Sequence, residues 1–300
     1  MLESALIAGN KSKADELTAG LLEREDQDSP APAENLVATV YHGIASQLAQ
    51  RDRTDEAADI LTRGRVLFPD NEQIGLQAAI LAFSEGDSKA AREILSDVKQ
   101  SHPKSAAPFF VEAKHFEQQK KFKQAADLYQ LALAKRSSPD LEVTYAQALT
   151  RDGQQLKAME SLTAAQQRFP ESEPLLTNLA ILQQQSGSTD EASKTYATLI
   201  EVAPDNVVAL NNLAWLYHEN NDERAVGLAR RAFELSADNA AVADTYGWIL
   251  FKAGKIDESL PILEKAHELQ PDSREIAMHL AEAYKATGNS EKAKSILEKL

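Results

Sequence analysis

The sequence contains no cysteine and only two tryptophans in 300 residues. The absence of cysteine excludes disulfides, thiolate metal sites and a cysteine nucleophile. No apolar run approaches the roughly 18 residues that a membrane-spanning helix needs, and no signal-peptide pattern stands at the start. Positive charge is also scarce, since 32 Lys and Arg face 46 Asp and Glu, a net charge of −14. Because this charge repels phosphates and anionic headgroups, we expect no nucleic-acid partner and no membrane insertion of this chain.

Catalytic motifs are missing as well. The sequence has no G-x-G-x-x-G, P-loop, G-x-S-x-G or H-E-x-x-H pattern, and its six histidines show no zinc-ligand spacing. Acidic runs such as "EREDQD" and "TDEAAD" are typical of solvated surfaces and helix starts, where carboxylates interact favourably with the helix dipole. We therefore predict a protein that is not an enzyme, with no catalytic residue, no metal and no cofactor.

What the sequence does contain is a repeat of about 34 residues. One proline turn recurs along the chain, as "FPDN" at Pro69, "HPKS" at Pro103, "FPES" at Pro170, "APDN" at Pro204, "SADN" at Ala237 and "QPDS" at Pro271. A period of this length predicts stacked units that bury their apolar faces only against their neighbours.

Between the turns, the pattern predicts two helices per unit. The first helix has a small residue at its centre, namely Ala45, Ala79, Ala113, Ala146, Ala180, Ala214, Gly247 or Ala281. The second helix opens with a small residue and has apolar residues four and seven positions later, as in Ala192, Tyr196 and Leu199. These spacings place the residues on one helical stripe, and small side chains allow two helix axes to approach closely.

This pattern resembles the tetratricopeptide repeat (TPR), over units at about residues 35–69, 70–103, 104–137, 138–170, 171–204, 205–237, 238–271 and 272–300. The resemblance implies an all-α fold, a single right-handed TPR α-solenoid over residues 1–300 with first helices on its concave face. Residues 1–25 resemble a truncated first repeat, and residues 26–34 form a connection. We expect Met1 to begin a fragment of the natural chain, and a naturally short first unit is the alternative.

Trp215 and Trp248 lie one period apart. The TPR family's usual tryptophan position is held here by Leu210 and Ala243, so the resemblance implies that both indoles face the concave groove instead. The implied peptide-binding residues are Asn178, Asn211, Asn212, Trp215, His218, Asp244, Trp248 and Phe251. Aromatic rings beside polar groups favour a protein or peptide partner, and packing between first helices is the alternative role of the tryptophans. The two lysines with which chaperone-binding TPR proteins hold the C-terminal carboxylate of a peptide are not reproduced in this sequence.

The segments "NNLAWLY" and "DTYGWIL" resemble the C-terminal repeats of bacterial TPR lipoproteins from PEP-CTERM/exosortase systems. That resemblance implies a non-catalytic scaffold in a cell-envelope system for exopolysaccharide production and protein sorting. It further implies a periplasmic or envelope-associated location, with a lipid anchor on an N-terminal part outside this sequence; a cytoplasmic location is the alternative. A second hypothesis is the TPR region of a longer enzyme such as a glycosyltransferase. A third is self-association, and the sequence leaves the oligomeric state open.

Overall fold

The computed structural model of the chain describes residues 1–22 and 33–298, within two compact units, residues 1–153 and 154–300. All the regular structure of the described residues is α-helical, and within each unit successive helices pack as hairpins. The predicted all-α fold is confirmed. The predicted single solenoid over residues 1–300 stays a prediction, and the connection at residues 26–34 lies largely outside the described residues.

Unit 1 contains nine helices among its described residues: α1 Leu2–Ile7, α2 Lys11–Leu22, α3 Ala33–Gln50, α4 Thr54–Leu67, α5 Glu72–Ser84, α6 Ser88–Ser101, α7 Ala107–Gln118, α8 Phe122–Lys135 and α9 Pro139–Arg151. Unit 2 likewise contains nine where it is described: α10 Gln155–Gln166, α11 Glu173–Gln185, α12 Thr189–Val202, α13 Val207–Glu219, α14 Arg224–Leu235, α15 Ala240–Lys252, α16 Ile256–Leu269, α17 Arg274–Ala286 and α18 Ser290–Leu297.

The recurring turn both ends one helix and starts the next. Its proline follows the C-cap of the preceding helix, where a missing N–H costs no helical hydrogen bond. Two residues after Pro69 and Pro204, an asparagine caps the next helix. Asn71 Oδ1 accepts a hydrogen bond from Ile74 N at 3.0 Å, and Asn206 Oδ1 accepts one from Ala209 N at 2.8 Å. A cap of this kind contributes about 1 kcal/mol, so the turn motif fixes where these helices begin.

The small residues predicted at the helix contacts are buried. In the first helices they are Ala45, Ala79, Ala113, Ala146, Ala180, Ala214, Gly247 and Ala281. In the second helices they are Ala57, Ala91, Ala125, Ala158, Ala192, Ala225, Ser259 and Ala293. Within each unit, the two helices of a pair therefore meet where their side chains are smallest, and larger apolar residues of the same stripe, such as Leu95 and Tyr196, fill the space beside the contact.

At Gly247, α15 and α16 approach more closely than an alanine allows. Ser259 Oγ donates a hydrogen bond to the carbonyl oxygen of Gly247 at 2.7 Å. A Cβ atom added at Gly247 would lie 2.8 Å from Leu263 Cγ and 3.2 Å from the backbone nitrogen of Leu263. The backbone atom cannot rotate aside as a side-chain tip can, so glycine replaces the alanine of the other units here.

We expect Gly247→Ala to lower the free energy of unfolding by about 1–3 kcal/mol, because the added methyl overpacks the α15–α16 contact. Gly227→Ala is the matched control, since Gly227 is an exposed residue inside α14 with no atom within 4 Å of the added Cβ. That change should raise the free energy of unfolding by up to about 1 kcal/mol. Urea unfolding followed by circular dichroism measures both, and equal midpoints for the two variants would contradict the close approach.

Candidate peptide-binding face

The predicted site residues lie on consecutive first helices of unit 2. Asparagine caps begin both α13 and α15, since Asn206 accepts from Ala209 N and Asn239 accepts from Val242 N. Side chains spaced i, i+4 and i+7 then share one side of each helix. We call this side the α13–α15 face, formed by Asn211, Trp215 and His218 of α13 and by Asp244, Trp248 and Phe251 of α15.

Trp248 is packed into the protein, with only 9% of its surface exposed. Its ring stacks on the imidazole of His279 from α17, with centroids 4.0 Å apart and planes inclined by 15°. Phe251 stacks at 5.5 Å, and Lys252 Nζ lies 4.6 Å from the indole centroid. Trp248 therefore joins α15 to α17, which is the packing role that the sequence left as the alternative.

Asp244 is also engaged within the protein. Both of its carboxylate oxygens lie 2.9 Å from His279 Nδ1, and the side chains of Asp244 and His279 are only 9% and 13% exposed. A carboxylate beside the ring nitrogen fixes the orientation of the imidazole. The pair therefore holds the His279 ring flat against Trp248.

His279 was missed in the sequence, although a signal was present. It occupies the same place in its repeat as Asn178 and Asn212, at whole repeat periods from each. A comparison of equivalent places across repeats would have found it.

Trp215 occupies the same repeat position as Trp248 but remains half-buried. Its ring lies 6.0 Å from the His218 ring, inclined by 60°. Burial lowers the pKa of His218, and the positive charge of Lys252 on the neighbouring helix lowers it further. The imidazole is therefore neutral at pH 7. An indole, a neutral imidazole and the half-buried Phe251 ring form the partly exposed aromatic part of the face.

The three asparagines have different roles. Asn212 Nδ2 donates to Tyr196 Oη at 3.0 Å, and Tyr196 Oη donates to Gln184 Oε1 at 2.9 Å. Burial raises the pKa of Tyr196 to about 12. Asn178 Nδ2 donates to the Pro174 carbonyl oxygen of its own helix at 2.8 Å. Asn211 differs, since its Oδ1 is shielded from solvent and accepts no hydrogen bond within the described residues.

A cavity of about 780 Å³ adjoins the face at α17. Trp248, Met278 and Leu297 give it apolar walls. Its charged lining residues are of both signs, namely Arg274, Lys285, Glu275 and Glu282. Met278 is 53% exposed, so an apolar ligand group has surface to contact there. The cavity is within the range of volumes that hold small ligands or side chains.

Across residues 1–22 and 33–298, no group of three or more His, Asp or Glu side chains is placed to hold a metal ion. In the same residues, no helix combines the length and the hydropathy that crossing a bilayer requires.

Helix hairpins that recur at a fixed period, with small residues between the paired helices, define a helical-repeat protein, which is a scaffold architecture for protein interactions. Profiles of the tetratricopeptide repeat match residues 76–142, 149–216 and 250–300. The chain belongs to the tetratricopeptide repeat family.

Relatives with curated sequences share only part of their length with this chain. A TPR repeat-containing protein of Pseudomonas aeruginosa is 30% identical over 155 residues, which are 50% of this chain and 26% of that protein. The protein O-mannosyl-transferase TMTC3 of Homo sapiens is 30% identical over 189 residues, which are 60% of this chain and 20% of that protein. The chain thus spans about a quarter or less of these relatives.

Among solved structures, the anaphase-promoting complex hetero-tetramer Cut9–Hcn1 is similar, with a TM-score of 0.52 and 15% identity. The similarity covers 91% of this chain and 52% of that one. At this level of identity it supports the TPR fold alone.

The two tryptophans should differ in solvent contact. We expect Trp215→Phe, which leaves only Trp248, to emit at shorter wavelength and to be quenched less by acrylamide than Trp248→Phe. The reason is that Trp248 is enclosed by His279 and Phe251 whereas Trp215 is half-buried. Alanine substitution should separate them too, with Trp248→Ala costing about 3–5 kcal/mol of stability and Trp215→Ala clearly less. Equal quenching of the two single-tryptophan proteins would refute this arrangement.

Acidification should destabilise the fold through His218. Because its folded-state pKa is lowered, the unfolded chain binds the proton more readily, so stability is lost as the pH falls below the unfolded pKa of about 6.5. Urea midpoints at pH 7.5 and pH 5.5 measure the loss. His218→Gln should show a smaller drop than the wild type, and an undiminished drop would remove His218 as a contributor.

Proposed function

We propose that the protein is a non-catalytic scaffold that binds an extended peptide or protein segment on the α13–α15 face. The observation that carries the proposal is Trp215, whose indole remains partly exposed beside His218. A rigid aromatic ring on a surface is a frequent binding hot spot, because it buries much area at little entropic cost.

The neighbouring polar atoms suit a peptide backbone. Asn211 lies one helical turn before Trp215, and its Oδ1 accepts no hydrogen bond from the part of the chain that the structure describes. An unpaired buried acceptor costs about 1–3 kcal/mol, which a backbone N–H of a ligand would offset after a small rotation of the side chain. Behind this surface, Asp244 and His279 hold Trp248 in place. We infer that Trp215 and Asn211 contact the ligand, whereas Trp248 and Asp244 support the face.

For the cellular setting, we propose a bacterial cell-envelope system for exopolysaccharide production and protein sorting, with a periplasmic or envelope-associated scaffold. This rests on the motifs "NNLAWLY" and "DTYGWIL" and their resemblance to TPR lipoproteins of PEP-CTERM systems. Antibodies against this chain, applied to fractions of the native cells, test the location. Recovery in the cytoplasmic fraction alone would overturn it.

A second candidate function is the TPR region of a longer glycosyltransferase. The observation in its favour is the match to the O-mannosyl-transferase TMTC3, which extends over 60% of this chain. In that case the native polypeptide would be much larger than this chain's 32.8 kDa and would carry a catalytic domain. An immunoblot of native cells separates the two candidates.

Peptide selection tests the binding face directly. We expect phage-displayed peptides of random sequence to be enriched on the immobilised protein, and Trp215→Ala to weaken the enriched peptides at least about tenfold. Leu235→Ala is the matched control, because Leu235 is an exposed apolar residue at the end of the second helix α14. That variant should bind as the wild type does. Failure to enrich any peptide, or unchanged affinity of a normally folded Trp215→Ala variant, would refute the proposal.

A further inference from the structure

Positive charge is concentrated in one repeat of an acidic chain. The repeat at residues 104–137 has seven Lys and Arg against three Asp and Glu, a net charge of +4. Each of the other seven repeats has a net charge of zero or below, and the repeat at residues 171–204 has a net charge of −4. This excess of positive charge is specific to the repeat at residues 104–137, since the chain as a whole has a net charge of −14.

The repeat at residues 104–137 borders a cleft of about 900 Å³, and all the residues that line this cleft belong to unit 1. Phe110 and Leu141, in the first turns of α7 and α9, provide apolar surface in the cleft. Lys104 lines it from the turn before α7, and Arg136 lines it from the end of α8. The cleft lies where the turns between repeats meet the starts of the first helices, in a different unit from the α13–α15 face.

Lys104 and Arg136 have no carboxylate partner among the residues that the structure describes, and both side chains are exposed. Other cations nearby are engaged, since Lys114 pairs with Glu117 and Lys99 pairs with Glu112, each at 2.8 Å. The cleft also has two carboxylates, Glu72 and Asp140.

These two carboxylates lie in the first turns of α5 and α9, where the helix dipole offsets part of their charge. No ion pair joins Glu72 or Asp140 to Lys104 or Arg136 across the cleft in the described residues. The two cations therefore remain available to a carboxylate that enters between them.

The size of the basic region limits which anion fits. Charges separated by more than about 8 Å are largely screened at physiological salt, so the positive charge of this repeat attracts an anion only close to the repeat itself. A nucleic acid or a membrane would extend over the neighbouring acidic units and be repelled by them. A short acidic peptide within the cleft avoids those neighbouring repeats, and its apolar side chains suit the Phe110 and Leu141 surface.

We propose that this cleft is a second binding site, which takes a short acidic segment of a partner protein. A carboxylate of the segment lies between Lys104 and Arg136, and a neighbouring apolar side chain packs on Phe110 and Leu141. The site is independent of the α13–α15 face, because its residues belong to unit 1 and it selects for negative charge.

The test uses a fluorescein-labelled peptide of sequence Glu-Leu-Asp-Glu-Leu and fluorescence anisotropy with the whole chain. We expect the peptide to bind at about 50 mM salt and more weakly at about 300 mM, because exposed ion pairs are screened. The double variant Lys104→Gln/Arg136→Gln should bind about fivefold more weakly. Phe110→Ala should also lose affinity.

The matched control also removes two positive charges from the repeat at residues 104–137. Lys120→Gln/Lys121→Gln alters the other end of the α7–α8 pair, about 18 Å away along the 12-residue helix α7. It should change the affinity less than twofold. Equal losses in the two double variants would show a diffuse field instead of a site, and absence of peptide binding would refute the site altogether. Tighter binding of duplex DNA or phosphatidylglycerol vesicles than of the peptide would overturn the assignment to an acidic protein segment.

Discussion

The close contact of two helices at their smallest residues is the constraint on which the rest of the structure depends. A single hairpin has no core of its own, so its apolar stripe must be buried against the partner helix and against the next hairpin. Alanine at the centre of α13 and at the start of α14 lets those helices meet, and both residues are buried. Where α15 and α16 come still closer, only glycine fits, and Ser259 hydrogen-bonds to the Gly247 carbonyl across the contact.

This constraint explains why the fold could be predicted from the sequence. The period, the small residues and the capped turns are local features, and each recurs in several units, so they reinforce one another. The helix starts at Asn71, Asn206 and Asn239 follow from a side-chain cap that the motif itself contains. The arrangement of the site could be predicted only in part, because it depends on which side chain the next unit places opposite each position.

Trp215 and Trp248 show this dependence. Both occupy the same place in their repeats, yet His279 stands opposite Trp248 and stacks on it at 4.0 Å. The equivalent of His279 one repeat earlier is Thr245, which has no ring to offer. A second difference accompanies the first, because Asp244 pairs with His279, whereas Asn211 stands in its place one repeat earlier and its Oδ1 accepts no hydrogen bond from the described residues. Two differences between repeats, His279 against Thr245 and Asp244 against Asn211, thus separate a buried tryptophan from a partly exposed one.

Variation between repeats is therefore where binding sites arise in such a protein. The core positions cannot change without loss of packing, so they are similar in every unit and carry no specificity. Residues in the turns and on the outer side of the first helices are free to differ. Charge and aromatic surface then gather in different repeats. Trp215 is partly exposed in one of them, while Lys104 and Arg136 line a cleft with Phe110 in another and have no carboxylate partner among the described residues. A regular scaffold can in this way present chemically distinct surfaces, because the small-residue contacts that recur in every repeat leave these other positions free to vary.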